Sequence, residues 1–249
     1  MSIKFHGNRI SLTANTKLNF YGADSKDKFL INKETLGKEW KYYDSGDRLS
    51  YEFDEFGFRN QQSLHKLQYN RYIVTVGCSH TMGTGLFHEE TYSFQLEQQT
   101  GIPVYNMGLG GSSNEVSMFN LMWLLSNFKP PRMIVFQKTG INRFPLIDSR
   151  SSSVSFNGPW VSSPWMSSSA EKIKEFIVIS DEIDYNNTKQ LMLESMLQQI
   201  TSHYGIELLI LPEVFINNLP SHTSKARELL HGGSEFNREI SDYISEYVR

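Results

Sequence analysis

The chain has 249 residues, a formal net charge of −3 and one cysteine, Cys78. Its 39% hydrophobic residues are enough for a folded core, which argues against a mainly disordered protein. The near-neutral charge gives no sign of a nucleic-acid-binding surface, and a single cysteine excludes an internal disulfide framework and a cysteine-rich zinc site. No apolar run approaches the ~20 residues of a membrane span, and the N-terminus lacks the apolar region of a secretory signal. We therefore expect a cytoplasmic protein, or one that leaves the cell without a signal peptide, with no nucleic-acid or membrane partner.

The first 70 residues differ from the rest of the chain. They are rich in lysine, aspartate, asparagine and aromatic residues, and they show short alternating pieces, such as 49–53, without a long helical period. Gly57 is typical of a turn between two short strands. The pattern predicts a small β-rich N-terminal extension over residues 1–70 that packs onto a domain formed by residues 71–249.

From residue 71 onwards, predicted strands alternate with predicted helices. Apolar runs indicate four strands, at 72–76, 104–107, 133–137 and 206–211, and apolar periodicity places helices between and after them. A serine-rich stretch with Trp160 and Trp165 interrupts this rhythm and predicts an insertion at about 144–170. The alternation predicts an α/β fold with a mostly parallel sheet covered by helices on both faces, in which ligands bind at the carboxyl ends of the strands.

Chemically useful residues follow the predicted strands. Ser79 comes just after the first strand between two glycines, which favours a tight turn that exposes its hydroxyl and its own N–H. After the second strand, a glycine-rich loop that includes Gly111 lets backbone amides approach a ligand. After the third strand, Asn142 places a side-chain amide at the same edge of the sheet. Glu228 precedes His231 by three residues, a spacing at which a carboxylate can orient an imidazole that takes the serine proton.

In this order, the four blocks resemble those of the SGNH (GDSL-like) hydrolase superfamily, from about residue 72 to the end of the chain. The resemblance implies a three-layer αβα fold with a flavodoxin-like sheet of five parallel strands. It also implies Ser79 as nucleophile, His231 as base and Glu228 as acid. The implied oxyanion hole consists of the N–H groups of Ser79 and Gly111 and the side chain of Asn142.

Several positions depart from the family pattern. Cys78 occupies the aspartate position of Gly-Asp-Ser, and we interpret it as a buried structural residue rather than a nucleophile. We interpret His80 as a wall or surface residue, because neighbouring side chains on such a turn diverge. Arg143 stands where the family usually has aspartate, and it would bind an anionic substrate group or form a salt bridge. Glu228 replaces the aspartate of the last family block. If Glu228 does not contact His231, a backbone carbonyl or a water molecule would orient the histidine instead.

The sequence thus predicts a serine esterase that acts on a small-molecule or glycan ester, for example an O-acetyl group on a carbohydrate, without a metal or organic cofactor. Trp160 and Trp165 would form a platform for sugar rings, a lid over an acyl group or a locally packed loop. One alternative is an acyltransferase that uses the same serine and histidine. Another is a non-catalytic binding or structural module of a phage or surface assembly, since the chain also resembles SGNH-like proteins of bacteria and their phages. This resemblance adds the virion to the expected locations.

Overall fold

The computed structural model describes residues 13–68, 71–141, 143–148, 153–157, 184–211 and 219–248. The strands are β1 (Lys17–Leu18), β2 (Tyr51–Glu52), β3 (Ile73–Gly77), β4 (Val104–Gly108), β5 (Met133–Gln137), β6 (Phe144–Asp148), β7 (Ser153–Asn157) and β8 (Glu207–Leu211). The α-helices are α1 (Lys26–Leu36), α2 (Leu64–Leu67), α3 (Ser79–Met82), α4 (Tyr92–Thr100), α5 (Asn114–Asn127), α6 (Tyr185–Tyr204) and α7 (Ser234–Ser245). None of these helices is long and apolar enough to cross a membrane.

The central feature is a parallel sheet with the strand order β4-β3-β5-β8. The four predicted strands are confirmed, each within a residue of its expected bounds. Counted from β3, their order is 2-1-3-4, which is the flavodoxin-like order. The fifth strand implied by the resemblance is not among the described residues. Since β4 and β5 flank β3 on opposite sides, the order reverses at β3, and ligands of such sheets bind beyond the carboxyl end of that strand.

Helices cover both faces of the sheet. Successive strand residues point to opposite faces, so Val74 and Val76 pack with α5 and α6, whereas Ile73 packs with α4 and α7. All three valine and isoleucine side chains are fully buried. This arrangement confirms the predicted three-layer αβα architecture.

The N-terminal segment, residues 13–68, holds more helix than strand, unlike the β-rich extension that the sequence predicts. Its two strands, β1 and β2, have two residues each, and the longest element is helix α1, capped at its start by the Ser25 side chain. Gly57 does form the expected turn, with φ of 82°, but the described residues from Gly57 to 68 contain no strand. Three side chains of the alternating piece, those of Leu49, Tyr51 and Phe53, are buried against the α/β domain. Tertiary packing therefore buries these side chains, and the pairing of β1 with β2 covers only two residues of each strand.

Two strands lie within the predicted insertion. β6 and β7 pair antiparallel over residues 144–148 and 153–157. Trp160 and Trp165 lie outside the described residues, so their three possible roles stay predictions.

Candidate active site

The turn between β3 and α3 presents Ser79 at the carboxyl end of the central strand. Ser79 is the first residue of α3, so its N–H has no partner within the helix. Two glycines let this helix lie close to the sheet: a Cβ atom at Gly108 would come within 2.2 Å of the Met82 nitrogen, and one at Gly77 within 2.2 Å of the Thr81 hydroxyl. Cys78, directly before the serine, is buried as expected of a structural residue.

A continuous hydrogen-bond chain joins the three residues of the predicted catalytic site. Ser79 Oγ lies 2.7 Å from His231 Nε2, and His231 Nδ1 lies 2.6 Å from Glu228 Oε1. Glu228 is fully buried, whereas Ser79 and His231 are partly exposed, so a ligand can reach them from solvent. The longer side chain of glutamate, relative to the aspartate of the family pattern, thus reaches the imidazole directly.

Glu228 is held as a carboxylate by several hydrogen bonds. Besides the ring of His231, it accepts the backbone N–H groups of Leu230 at 2.6 Å and of His231 at 3.1 Å. Burial by itself would raise the pKa of this carboxyl group, but the hydrogen bonds and the charge of His231 outweigh burial, and the pKa lies below its ordinary value. The group is therefore ionised at neutral pH and can stabilise a positively charged imidazole.

The backbone around Glu228 folds into a tight loop. Leu229 has a left-handed conformation with φ of 64°. The Ala226 N–H donates to the carbonyl of His231 at 3.0 Å, which closes the loop. A Cβ atom at Gly232 would lie 2.1 Å from the ring of Phe236, so only glycine lets α7 approach the loop this closely. This closure places the carboxylate beside the imidazole three residues later.

The glycine-rich loop after β4 lies beside the same turn. Leu109 N–H and Ser112 Oγ both donate to the carbonyl of Gly77, at 3.0 and 3.2 Å, and so tie this loop to the strand that carries Ser79. Gly111 has φ of 77°, and a Cβ atom there would meet nothing within 4 Å, so its backbone borders open space. Asn142 lies outside the described residues, and its role as an oxyanion donor stays a prediction.

The loops that follow β4 and β5 are joined by polar contacts. Helix α5 is capped at its start by Ser113, whose hydroxyl accepts the Val116 N–H, and not by the next residue, Asn114. The Asn114 side chain instead exchanges two hydrogen bonds with the backbone of Thr139, at 2.8 and 3.0 Å. Arg143 donates to the Ser112 carbonyl at 3.2 Å. These contacts fix the loop leading to residue 142 against the one that carries Gly111.

His80 forms a wall of the site, as the sequence indicated. Its ring packs edge-on against the ring of His231, with 4.7 Å between the centroids. Burial, assisted by the positive charges of a protonated His231 and of Arg143, lowers the pKa of His80 to about 3. His80 is therefore neutral at physiological pH, and the imidazole that contacts Ser79 is that of His231.

Sequence reasoning missed a set of residues that support the site from the N-terminal segment. The guanidinium of Arg59 donates to the carbonyls of Gly83, at 2.5 Å, and Leu86, at 2.7 Å, which follow α3. Arg227 forms a buried ion pair with Asp24. Both arginines stand beside other polar residues in the sequence, so nothing local marks them as buried or identifies a partner far along the chain.

Known proteins were compared with both the sequence and the fold. No family model and no curated protein matches the sequence. A member of the lipolytic protein G-D-S-L family from Veillonella parvula DSM 2008 shares 14% identity, with 71% of this chain and 97% of that chain covered and a TM-score of 0.38. The psychrotrophic esterase EstA from Pseudoalteromonas sp. shares 15% over 72% of this chain and 99% of that chain, with a TM-score of 0.38. The acetyl xylan esterase Est2A from Butyrivibrio proteoclasticus shares 12% over 72% and 63%, with a TM-score of 0.37.

The strand order and the two helical layers establish the fold of this chain independently of these solved structures, whose identities and TM-scores are low. Within the described ranges, no group of three or more histidine, cysteine, aspartate or glutamate residues is placed to hold a metal ion. The chain is similar to GDSL/SGNH hydrolases in its sequence blocks and in its α/β fold.

Proposed function

We propose that the protein is a serine hydrolase, an esterase that cleaves a small ester. The observation that carries the proposal is the continuous chain from Ser79 through His231 to the buried carboxylate of Glu228, at 2.7 and 2.6 Å. A fully buried carboxylate is unfavourable unless it is paired and hydrogen-bonded. Here its hydrogen bonds fix the orientation of one partly exposed imidazole, an arrangement that suits proton transfer at a serine.

The reaction follows from these contacts. His231 Nε2 accepts the proton of Ser79 Oγ as that oxygen attacks the ester carbonyl, and Glu228 stabilises the resulting imidazolium. The N–H groups of Ser79 and Gly111 and the side chain of Asn142 would receive the oxyanion; losing one such donor typically costs about 10²–10³-fold in rate. His231 then gives its proton to the departing alcohol. A water molecule, activated by the same histidine, releases the acyl group and regenerates Ser79.

The substrate proposal is an O-acetyl group on a carbohydrate or a comparably small ester. It comes from the sequence resemblance to esterases. A comparison of nitrophenyl acetate and butyrate with an acetylated glycan tests it: release of acetate from the glycan supports the proposal. Activity on the nitrophenyl esters alone would argue against a carbohydrate substrate.

The catalytic assignment is tested with two variants. We expect Ser79→Ala and His231→Ala to lower kcat for nitrophenyl acetate by at least about 10³-fold, because each removes a reacting group. The matched controls are Ser126→Ala and His203→Ala, which change exposed residues of α5 and α6 and should retain wild-type rates. Equal rates for wild type and the Ser79 variant would disprove the assignment.

Two further measurements distinguish the alternatives. A fluorophosphonate probe should label Ser79 in wild type, and a well-folded protein that is not labelled would instead favour a non-catalytic module. Acyl transfer to added sugars at rates above hydrolysis would identify an acyltransferase that uses the same serine and histidine.

A further inference from the structure

The side chain of Arg227, the residue before Glu228, is held by the N-terminal segment. It is fully buried, and its Nε donates to Asp24 Oδ1 at 2.9 Å. Nη1 donates to the carbonyl of Ser45 at 3.1 Å and Nη2 to that of Asn19 at 2.6 Å. The guanidinium also lies 4.6 Å from the ring centre of Phe20. A guanidinium with this many directed partners has a fixed position.

The backbone of Arg227 is held as tightly as its side chain. Its N–H donates to the carbonyl of Gly85 at 2.9 Å, and its carbonyl accepts from the Asn32 side chain at 3.0 Å. The next residue is Glu228, whose carboxylate orients His231. A displacement of Arg227 therefore displaces the carboxylate that contacts the imidazole.

The same cluster also contacts the serine side of the site. Tyr51 donates its hydroxyl to Asp24 Oδ2 at 2.6 Å and accepts the N–H of Gly85 at 2.7 Å. Gly85 follows Thr84, whose N–H and hydroxyl both donate to the carbonyl of Ser79, at 3.1 and 3.2 Å. Asp24 thus connects, through short hydrogen bonds, to the loop of the nucleophile and to the loop of the acid.

We propose that the buried Asp24–Arg227 ion pair is a positioning element of the catalytic site. It sets the place of Glu228, and through Glu228 that of the His231 imidazole relative to Ser79. Residues 13–68 are then part of the hydrolase site and not an appended module. This inference rests on the proposed function.

The test removes both charges together, because a single replacement would leave a buried charge unpaired and destabilise the whole chain. In Asp24→Asn/Arg227→Met, the asparagine keeps an acceptor for Tyr51 and the methionine keeps apolar volume. We expect kcat, expressed per serine titrated by the fluorophosphonate, to fall by about tenfold or more, with KM little changed. A misplacement of a catalytic group by 1 Å typically lowers the rate by about 10²-fold. Tyr51→Phe, which retains the ring, should lower kcat in the same direction by a smaller factor.

A double-mutant cycle separates positioning from a general structural effect. If the pair acts through Glu228, the double variant should cause no further loss of kcat in a Glu228→Gln background, since the carboxylate is already absent. The matched control is Arg132→Met/Glu207→Gln, which removes an ion pair at the opposite end of the sheet and should leave kcat per titrated serine unchanged.

The outcomes are separable. A loss of the same factor in both backgrounds, or no loss in either, would overturn the positioning role while the proposed function stands. Wild-type protein that neither hydrolyses esters nor reacts with the probe would instead remove the proposed function itself.

Discussion

Glu228→Gln is the most informative single replacement, because it preserves shape and removes only the charge. In the structure, Glu228 Oε1 accepts both the ring and the backbone N–H of His231, and Oε2 accepts the N–H of Leu230 at 2.6 Å. Every neighbour is thus a donor, and a glutamine must direct its NH₂ group at one of them. If the amide oxygen stays beside His231, the NH₂ group opposes the N–H of Leu230. If the amide turns, the NH₂ group faces Nδ1 and favours the imidazole tautomer with its proton on Nε2.

Each orientation has a calculable effect on the rate. The first loses the charge-assisted hydrogen bond to the imidazolium, which is worth about 1.5–3 kcal/mol, or about 10- to 10²-fold in kcat. The second prevents Nε2 from accepting the serine proton, and a wrong tautomer typically costs about 10⁴-fold. Each orientation sets the NH₂ group against one backbone N–H, that of Leu230 or that of His231. Both orientations therefore contribute, and we expect kcat to fall by about 10- to 10⁴-fold, with KM little changed.

The assay is nitrophenyl acetate hydrolysis, with each rate divided by the concentration of serine titrated by the fluorophosphonate. Thermal unfolding of each variant shows that the fold is retained. Glu235→Gln removes the same charge from an exposed residue at the start of α7 and should keep the wild-type rate. A kcat for Glu228→Gln within about threefold of wild type would refute the reasoning and favour a serine–histidine dyad.

Two further predictions concern stability. Gly108→Ala should lower the free energy of unfolding by about 3 kcal/mol or more in urea titrations, because its Cβ would lie 2.2 Å from the Met82 nitrogen. The control is Gly101→Ala, at a residue with φ of 65° and no neighbour within 4 Å, which should cost only about 1–2 kcal/mol of left-handed strain. Equal losses of stability in the two variants would contradict the packing argument. The pKa of His80, lowered to about 3 from 6.5, means that the unfolded chain binds a proton before the folded one does, so stability should decline as pH falls from about 6.5 towards 3. His80→Asn should weaken this decline in melting temperature, and an unchanged pH dependence would show that His80 does not contribute to it.

The α/β domain illustrates what local sequence patterns predict well. The runs 133–137 and 104–107 are apolar because both faces of a parallel strand are covered, and this composition is readable without knowledge of the partners. The positions of Ser79 and Gly111 follow from the same reasoning, since each comes within three residues of the end of such a strand. Flanking glycines then indicate a sharp turn where backbone approaches backbone.

The N-terminal segment illustrates where such patterns fail. The alternation at 49–53 is real, and Leu49 and Tyr51 are fully buried. They are buried in a cluster with Met82 and Ala226 of the α/β domain, however, and the pairing of β2 with β1 involves only two residues of each strand. Period-two burial requires only that one side of an extended chain faces a core, and it does not specify what supplies that core.

The four parallel strands, the turn that carries Ser79 and the carboxylate three residues before His231 were predictable from the sequence, because they depend on neighbours close along the chain. The contact of Glu228 with the imidazole was not predictable in this way, since it depends on the left-handed Leu229 and on the closure of the loop at His231. The same holds for the pairing of Arg227 with Asp24, a residue 203 positions away. A contact over such a separation arises from the packing of two loops against each other, and no local pattern at either residue encodes it.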